Sequence, residues 1–539
     1  MLTKAIRLYH TVKYLKLKQV VWRLIYLFPR FRNPETGCPA TKSIPFINIA
    51  KQKVTEDYDH FLFLNEENKL SKVGWDNPTQ SKLWRYNLHY FDCLNQVELK
   101  YESVELQINI INKWTIENQF GKGTGWEPYP TSLRIINWIK WNFKTNELSN
   151  EVKLSLWNQV QWLAGRPEYH LLGNHLFINA KALLFACVFF GLDENSTIYR
   201  KALKILKEEL SEQFLEDGAH FELSPMYHSL AMEDLLDLYQ LKSRLPSNFP
   251  SQEIQEKFLS GMNWLSYLSY ENGELAHFND CANGIAPTFK ELEDLGKRLE
   301  LNWSLKADIK FNYLQKSGFA IVKDENIHLI ADIGDIGPDY LPGHAHADSL
   351  SFELAIKGQR VIVNSGTGEY GLSDERLRQR GTSAHSTIEL DSKSSSEVWS
   401  GFRVAQRARL TDVEIIDEDK KLEFSAVHDG YTRIASKPLH KRKWKVNDGC
   451  LEIVDEVTGS QNSVQSRYYL HPDILIDMLD GCILLSTSKE KLAKIITDQN
   501  VQVVDTTYHD KFGSSQKNKC LLITGTTPFS SKVSISWNL

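Results

Sequence analysis

The chain has 539 residues, 42% of them hydrophobic and 24% charged, a length that predicts on the order of two to four domains and a composition that excludes a fibrous or disordered protein. Lys+Arg 63 against Asp+Glu 68 gives a net charge of -5, so the broad basic field of a nucleic-acid binder is missing. The seven cysteines are scattered without a CxxC pair, which predicts reduced thiols rather than a disulfide framework or a thiolate metal knuckle.

In chain order, the segment from Met1 to Arg30 interleaves apolar residues with Lys4, Arg7, Lys13, Lys16, Lys18 and Arg23. It offers no unbroken signal-peptide core, and no stretch of the chain reaches the roughly 18 apolar residues of a membrane span. A basic amphipathic helix is expected, packed on the domain or a partner or, alternatively, touching an anionic membrane surface. These features predict a cytoplasmic protein, with a periplasmic or membrane-associated one as the alternative.

From residue 80 to 305 apolar residues recur at helical spacing, as in Leu133, Ile136 and Trp138 to Trp141, Leu176 to Phe190, Leu203 to Leu210, and Met232 to Leu241. The connections 121–130, 165–167 and 246–250 break this region into helical hairpins packed side by side. Beyond Asn312 the pattern becomes β-branched and alternating, in Gly318–Val322, His328–Ile333, Ser349–Ile356, Arg360–Val363, Thr387–Leu390, Leu422–Val427, Leu451–Val454 and Val533–Trp537. A large antiparallel β structure is expected there. With the switch near 305–312, the predicted domains are a basic N-terminal segment over 1–79, a helical domain over 80–311 and a β domain over 312–539.

Four clusters carry candidate chemistry. In Tyr169-His170-Leu171-Leu172-Gly173-Asn174-His175, Asn174 and His175 fall near the start of an apolar helix, where free backbone N–H groups and the helix dipole favour a carboxylate; the alternative is that Asn174 is only an N-cap. Between Asp217 and His228 ionisable groups again crowd a loop before a helix. Tyr227 there would give or take a proton at a sugar oxygen if nearby cations lower its pKa, or is a buried structural tyrosine. His344 and His346, at i and i+2 in Pro342-Gly343-His344-Ala345-His346-Ala347-Asp348, point to one side of an extended segment. One would serve chemistry and the other a metal; zinc would need Asn364 and His385 as well, and an amide is a poor zinc ligand. In the stretch from Gly125 to Trp138, Trp126, Tyr129 and Arg134 are candidate sugar contacts, with helix packing as the alternative. His170, Glu222 and Arg380 complete the expected substrate contacts, and Arg376, Arg378 and Arg380 either bind an acidic polymer or form a solvated basic loop.

These clusters, in this order, resemble the heparinase II/III family of polysaccharide lyases and related alginate lyases, over residues 80 to 400. The strongest marks are Leu172-Gly173-Asn174-His175, the Tyr227 segment, Gly343-His344-Ala345-His346-Ala347-Asp348 and Gly381-Thr382-Ser383-Ala384-His385. The resemblance implies an α+β multidomain architecture, an incomplete (α/α) toroid followed by an antiparallel β-sandwich. It also implies β-elimination at a uronic acid of an acidic polysaccharide or oligosaccharide. Asn174 and His175 would neutralise the C6 carboxylate, His344 would take the C5 proton, and Tyr227 would protonate the departing O4, or do both jobs for one sugar epimer. His346, Asn364 and His385 match positions that hold a structural divalent metal in relatives, zinc being expected before calcium. Asn364 departs from the Asp common there. No tyrosine lies between Gly371 and His385, where some alginate lyases keep a second one, so the scheme based on His344 is expected.

Two alternatives stand beside the lyase. One is a C5-uronate epimerase or a hydrolase on the same scaffold, since abstraction of the C5 proton uses the same groups; the other is a non-catalytic polysaccharide-binding or assembly protein. The lack of an export signal points to a polymer of the cell's own surface, such as a capsule or O-antigen.

Overall fold

The computed structural model describes residues 2–28, 33–97, 103–303, 310–418 and 421–538. Helices come first: α1 (Leu2–Val12), α2 (Leu17–Ile25), α3 (Leu70–Val73), α4 (Lys82–Tyr90), α5 (Val104–Glu117), α6 (Pro128–Thr145), α7 (Asn150–Gly165), α8 (Gly173–Phe189), α9 (Thr197–Gln213), α10 (Pro225–Gln240), α11 (Ser251–Tyr267) and α12 (Phe289–Arg298). α6, α8 and α9 pack in succession, and α10 packs on α11, which builds an incomplete (α/α) toroid. α8 is mostly apolar with no polar stripe and is buried along nearly its whole length, Asn179 and Lys181 included. Polar groups that enter the toroid interior are paired there: Lys140 and Lys181 both donate to Asp237, at 2.6 and 2.5 Å.

The stretch 121–130 is not all loop. α6 begins inside it at Pro128, a first-turn position where a missing N–H and a fixed φ favour the helix. Ahead of α4, a hairpin of His60–Phe63 and Glu66–Lys69 places Phe61 and Phe63 in the same core as Trp75 and Trp84.

The switch from helix to strand expected near 305–312 falls partly on 304–309, outside the described residues; the first strand beyond it is Phe311–Leu314. Two antiparallel sheets then form a β-sandwich. One sheet runs Leu410–Glu418, Lys421–His428, His440–Asn447, Cys450–Val457, Phe529–Ser536, Lys491–Thr497, Cys482–Ser486, Leu475–Leu479. The other runs Val501–Tyr508, Gln516–Thr526, Ser463–Leu470, Gln359–Val363, Phe352–Ile356, Ile327–Asp332, Phe319–Lys323, Phe311–Leu314, with Ile388–Leu390 also on Ser463–Leu470. Trp444 and Ile453 from the first sheet share a core with Val464 and Leu521 from the second.

The second sheet turns its other face to the toroid, so strands such as Phe352–Ile356 are apolar on both sides. Phe319, Ile321, Ile330 and Ala355 pack on Trp264, Leu268 and Phe278. Polar bonds pin this junction: the Trp264 indole donates to Ser317 Oγ at 3.0 Å and the Tyr270 hydroxyl to Glu353 Oε2 at 2.8 Å. A short helix α13 (Asp374–Arg380) follows the strand Gln359–Val363, and the loops bearing His344, Asp280 and Tyr370 meet beside it.

Candidate active site

His344 and His346 reach one carboxylate, Asp280. His344 Nδ1 lies 2.9 Å from its Oδ2 and His346 Nε2 2.9 Å from its Oδ1, and the Asp280 backbone N–H donates to the His344 carbonyl at 2.9 Å. Arg376 closes the other side with two guanidinium N–H groups on the same carboxylate and lies 4.8 Å from the Tyr370 ring and 5.3 Å from Phe402. Burial alone would favour the neutral acid, but Arg376 and the two histidines outweigh it and hold the Asp280 carboxyl well below the usual carboxylate range. An ionised acceptor at Nδ1 makes that nitrogen the N–H, which leaves Nε2 of His344 with the basic lone pair.

Tyr227 is delivered to this histidine by the start of α10. Ser224 caps the helix by accepting the Tyr227 N–H at 3.3 Å, and its hydroxyl donates to the Asp280 carbonyl at 2.6 Å, while Pro225 fixes the first turn. The Tyr227 ring centre stands 4.0 Å from that of His344, and its hydroxyl lies 3.0 Å from the Tyr370 hydroxyl. Burial first, then Tyr370, Asp280 and Glu222, raise the Tyr227 pKa well above its ordinary value. The condition that cations lower it is not met, and the Tyr227 hydroxyl is held in its neutral form.

Glu222 faces His344 from the toroid side. It is buried, neither carboxyl oxygen has a hydrogen-bond partner among the described residues, and Oε2 is 4.0 Å from His344 Nε2. Burial raises its pKa above the usual range, against the pull of His344 and His175. Gly173, at φ +59, opens α8 against this carboxyl: a Cβ there would sit 2.3 Å from Leu341 Cδ2 and 3.4 Å from Glu222 Oε1, so only glycine allows the approach.

The N-cap of α8 is Leu172, which supplies no capping side chain. Asn174 is therefore not the N-cap; it stands half-buried in the first turn beside uncapped backbone N–H groups. His175 Nδ1 contacts Glu168 Oε1 at 3.2 Å, and its ring centre is 4.4 Å from that of the half-buried Tyr129. Burial opposes a charge on His175, but Glu168 and Glu222 raise its pKa.

Three expected substrate contacts are withdrawn into the interior. Trp126, 5% exposed, sits in an aromatic cluster 4.9 Å from Phe120 and 5.8 Å from Trp114. Arg134 is fully buried, stacked 3.8 Å over Trp114 and donating to Gln159 at 2.9 Å. Arg380 is also fully buried, and its guanidinium donates to the carbonyls of Ala345, Pro342 and Ser400; it shapes the His344 loop and meets no solvent. All three bury a cation or a large ring, which sequence alone reads as recognition. His170 stays half-buried on the wall of a groove of about 310 Å³ shared with Tyr26, Glu127 and Arg166.

His346 and His385 have ring centres 5.2 Å apart, and His346 Nδ1 and both His385 nitrogens are buried without a hydrogen-bond partner among the described residues. Asn364 does not complete the set, because its amide donates to the His277 carbonyl at 3.0 Å and accepts the Ser386 N–H at 3.1 Å. Among the described residues no group of three His, Cys, Asp or Glu could hold a metal. Two imidazoles do not make a zinc site of three protein ligands, and the chemistry below runs through no metal.

Sequence reading missed Asp280, the partner role of Arg376, and Tyr370. The signal for Asp280 was available in His277-Phe278-Asn279-Asp280, polar groups crowded into a loop after a helix, as in the other clusters. Tyr370 stands one residue before the interval searched for a second tyrosine.

A family model for the heparinase II/III N-terminus matches residues 154–292, and one described as heparinase II/III-like, C-terminal, matches residues 307–538. Among curated relatives, a heparin-sulfate lyase of Bacteroides stercoris is 24% identical over 340 residues, 56% of this chain and 46% of its own length. A heparin-sulfate lyase of Pedobacter heparinus is 27% identical over 249 residues, 41% of this chain and 36% of its own length. The chain thus spans less than half the length of the curated relatives it matches. A crystal structure of heparinase III shares the fold, with a TM-score of 0.66 at 18% identity over 89% of this chain and 80% of that one. The two matched regions take in most of the helical domain and the β domain in that order, and the chain belongs to the heparinase II/III family.

Proposed function

We propose that this protein is a polysaccharide lyase that breaks the C4–O4 bond of a uronic acid by β-elimination. The observation that carries the reading is His344, whose Nδ1 is held by Asp280 while Nε2 faces the cleft between the neutral Tyr227 and the unpartnered Glu222.

The steps follow from the groups present. Asn174 and His175 donate hydrogen bonds to the C6 carboxylate, and Glu222 adds a third where it carries its proton, which makes the C5 proton acidic enough to remove. His344 Nε2 takes that proton. The electron pair forms the C4–C5 double bond and the C4–O4 bond breaks, with Tyr227 giving its proton to O4. After product leaves, the proton held by His344 returns to the Tyr227 oxygen, directly or through Tyr370, whose hydroxyl lies 3.0 Å from that of Tyr227, and both groups regain their starting states. The relatives' names, heparin-sulfate lyase in both cases, support a heparin-like uronate polymer as substrate. Such a polymer would include a capsule or O-antigen of the cell's own surface.

The test is mass spectrometry of products formed in H₂¹⁸O from unsulfated and sulfated uronate polymers. Elimination yields an unsaturated end and products lighter by one water than those of hydrolysis, with ¹⁸O entering only by exchange at the free reducing end. Saturated products carrying an added water would make the protein a hydrolase, exchange at C5 without cleavage an epimerase, and binding without either a polysaccharide-binding protein; each of these contradicts the reading.

A further inference from the structure

The inner faces of α1 and α2 bridge the two domains. Arg7 pairs with Glu397 at 2.7 Å, and Thr11 accepts the Trp399 indole N–H at 3.1 Å. Gln19 donates to the carbonyls of Leu171 and Tyr340 at 3.3 and 3.4 Å, and Trp22 lies 4.7 Å from Tyr169. These contacts determine which faces look outward. In α2 and the turn after it the outward residues are Leu17, Val20, Val21, Leu24, Leu27 and Phe28, spaced i, i+3, i+4, i+7, i+10 and i+11; Leu17 is 77% exposed, Leu27 74% and Phe28 73%. α1 continues the face with Leu8, Tyr9 and Val12.

A helix on the surface of a globular domain ordinarily turns its polar stripe outward. Here polar contacts hold the inner side and a contiguous apolar stripe looks out, the mark of a docking surface. Its border is cationic. Lys4, Lys13 and Arg23 are exposed and Arg403 stands beside Arg23, while the acidic groups that other elements bring to these helices, Glu397, Glu212 and Glu208, are paired with Arg7, Lys16 and Lys18. No described helix is long and apolar enough to cross a membrane, so these helices would lie on a bilayer rather than span it.

We propose that the outward face of α1 and α2 docks the protein on an anionic lipid surface. The apolar stripe enters the boundary between headgroups and acyl chains, and Lys4, Lys13 and Arg23 meet the headgroups. Leu171 and Tyr340, which Gln19 holds, precede Asn174 and His344 in their loops, so docking sets the mouth of the cleft close to the membrane.

The full chain is sedimented with vesicles of phosphatidylcholine alone and of phosphatidylcholine mixed with phosphatidylglycerol. It is expected to pellet with the anionic vesicles only, and less so as salt rises. Val21→Glu combined with Leu24→Glu leaves it in the supernatant; Lys4→Gln and Lys13→Gln each weaken binding about fivefold. Both kinds of variant melt with the parent by circular dichroism, since the side chains are exposed. Failure of the parent to pellet with anionic vesicles, or equal pelleting by the Glu variant, overturns the proposal. So does a dimer in solution that the same Glu pair makes monomeric, which would assign the face to a second copy.

Discussion

Two buried carboxyls flank His344, and the protein treats them in opposite ways. Asp280 is bonded by Arg376, His344 and His346 and is held ionised. Glu222 is as deeply buried, has no hydrogen-bond partner among the described residues, and is pushed toward its neutral form. A buried charge persists only where partners compensate it, so the Asp280 side is built to fix the tautomer and direction of one imidazole. The Glu222 side keeps its hydrogen-bonding capacity for a ligand. On the proposed mechanism, the base is set in advance and the groups that acidify its substrate wait for the carboxylate that arrives.

The largest expected effect comes from the group between the two walls. His344→Ala is expected to lower kcat by about 10²- to 10⁴-fold, and Tyr227→Phe by a similar factor, with KM changed little; initial rates on a uronate polymer check both. Asp280→Asn leaves Arg376 buried and uncompensated, which should lower stability by about 3–5 kcal/mol. A denaturant titration measures it, and adding Arg376→Met should restore part of the loss; no difference between the single and double variants would break the contrast.

Glu222→Gln sharpens it from the other side. Because the folded pKa of Glu222 is raised, its contribution to stability is present below the unfolded carboxyl value of about 4.3 and is lost as pH rises through the folded value. Asp280 has a depressed pKa, so its contribution is present above the unfolded value of about 3.9 and is lost as pH falls through the folded one. Melting curves against pH should therefore show Glu222→Gln more stable than the parent at neutral pH and Asp280→Asn less stable. The smallest effect is expected from Arg134→Met, which replaces a buried cation by an apolar chain of similar length: KM should stay within about twofold, as a position in the core rather than in the cleft requires.

Much of the fold was legible because periodicity changes along the chain. Leu176–Phe190 is too apolar and too long for anything but a buried helix, and the run to Ile356 is too short for one and forms a strand, although it begins at Phe352 rather than Ser349, where a turn intervenes. Tyr227, His344 and His346 were legible because ionisable groups crowd into loops beside such elements. Asp280 was not, since its bond to His344 joins residues 64 apart in sequence through a junction that only the packing of toroid on sheet creates. Trp126, Arg134 and Arg380 show the converse: stacking and charge look the same in sequence whether they serve a sugar or the core.

On the proposed mechanism His344, oriented by Asp280, starts an elimination that Tyr227 completes. Its decisive measurement is ultraviolet absorbance during incubation with a panel of uronate polysaccharides, wild type beside Tyr227→Phe and His344→Ala. Absorbance from the new C4–C5 double bond is expected to rise with the wild type and to stay flat with both variants. A flat wild-type trace on every polymer, or a rise that survives either substitution, would contradict it.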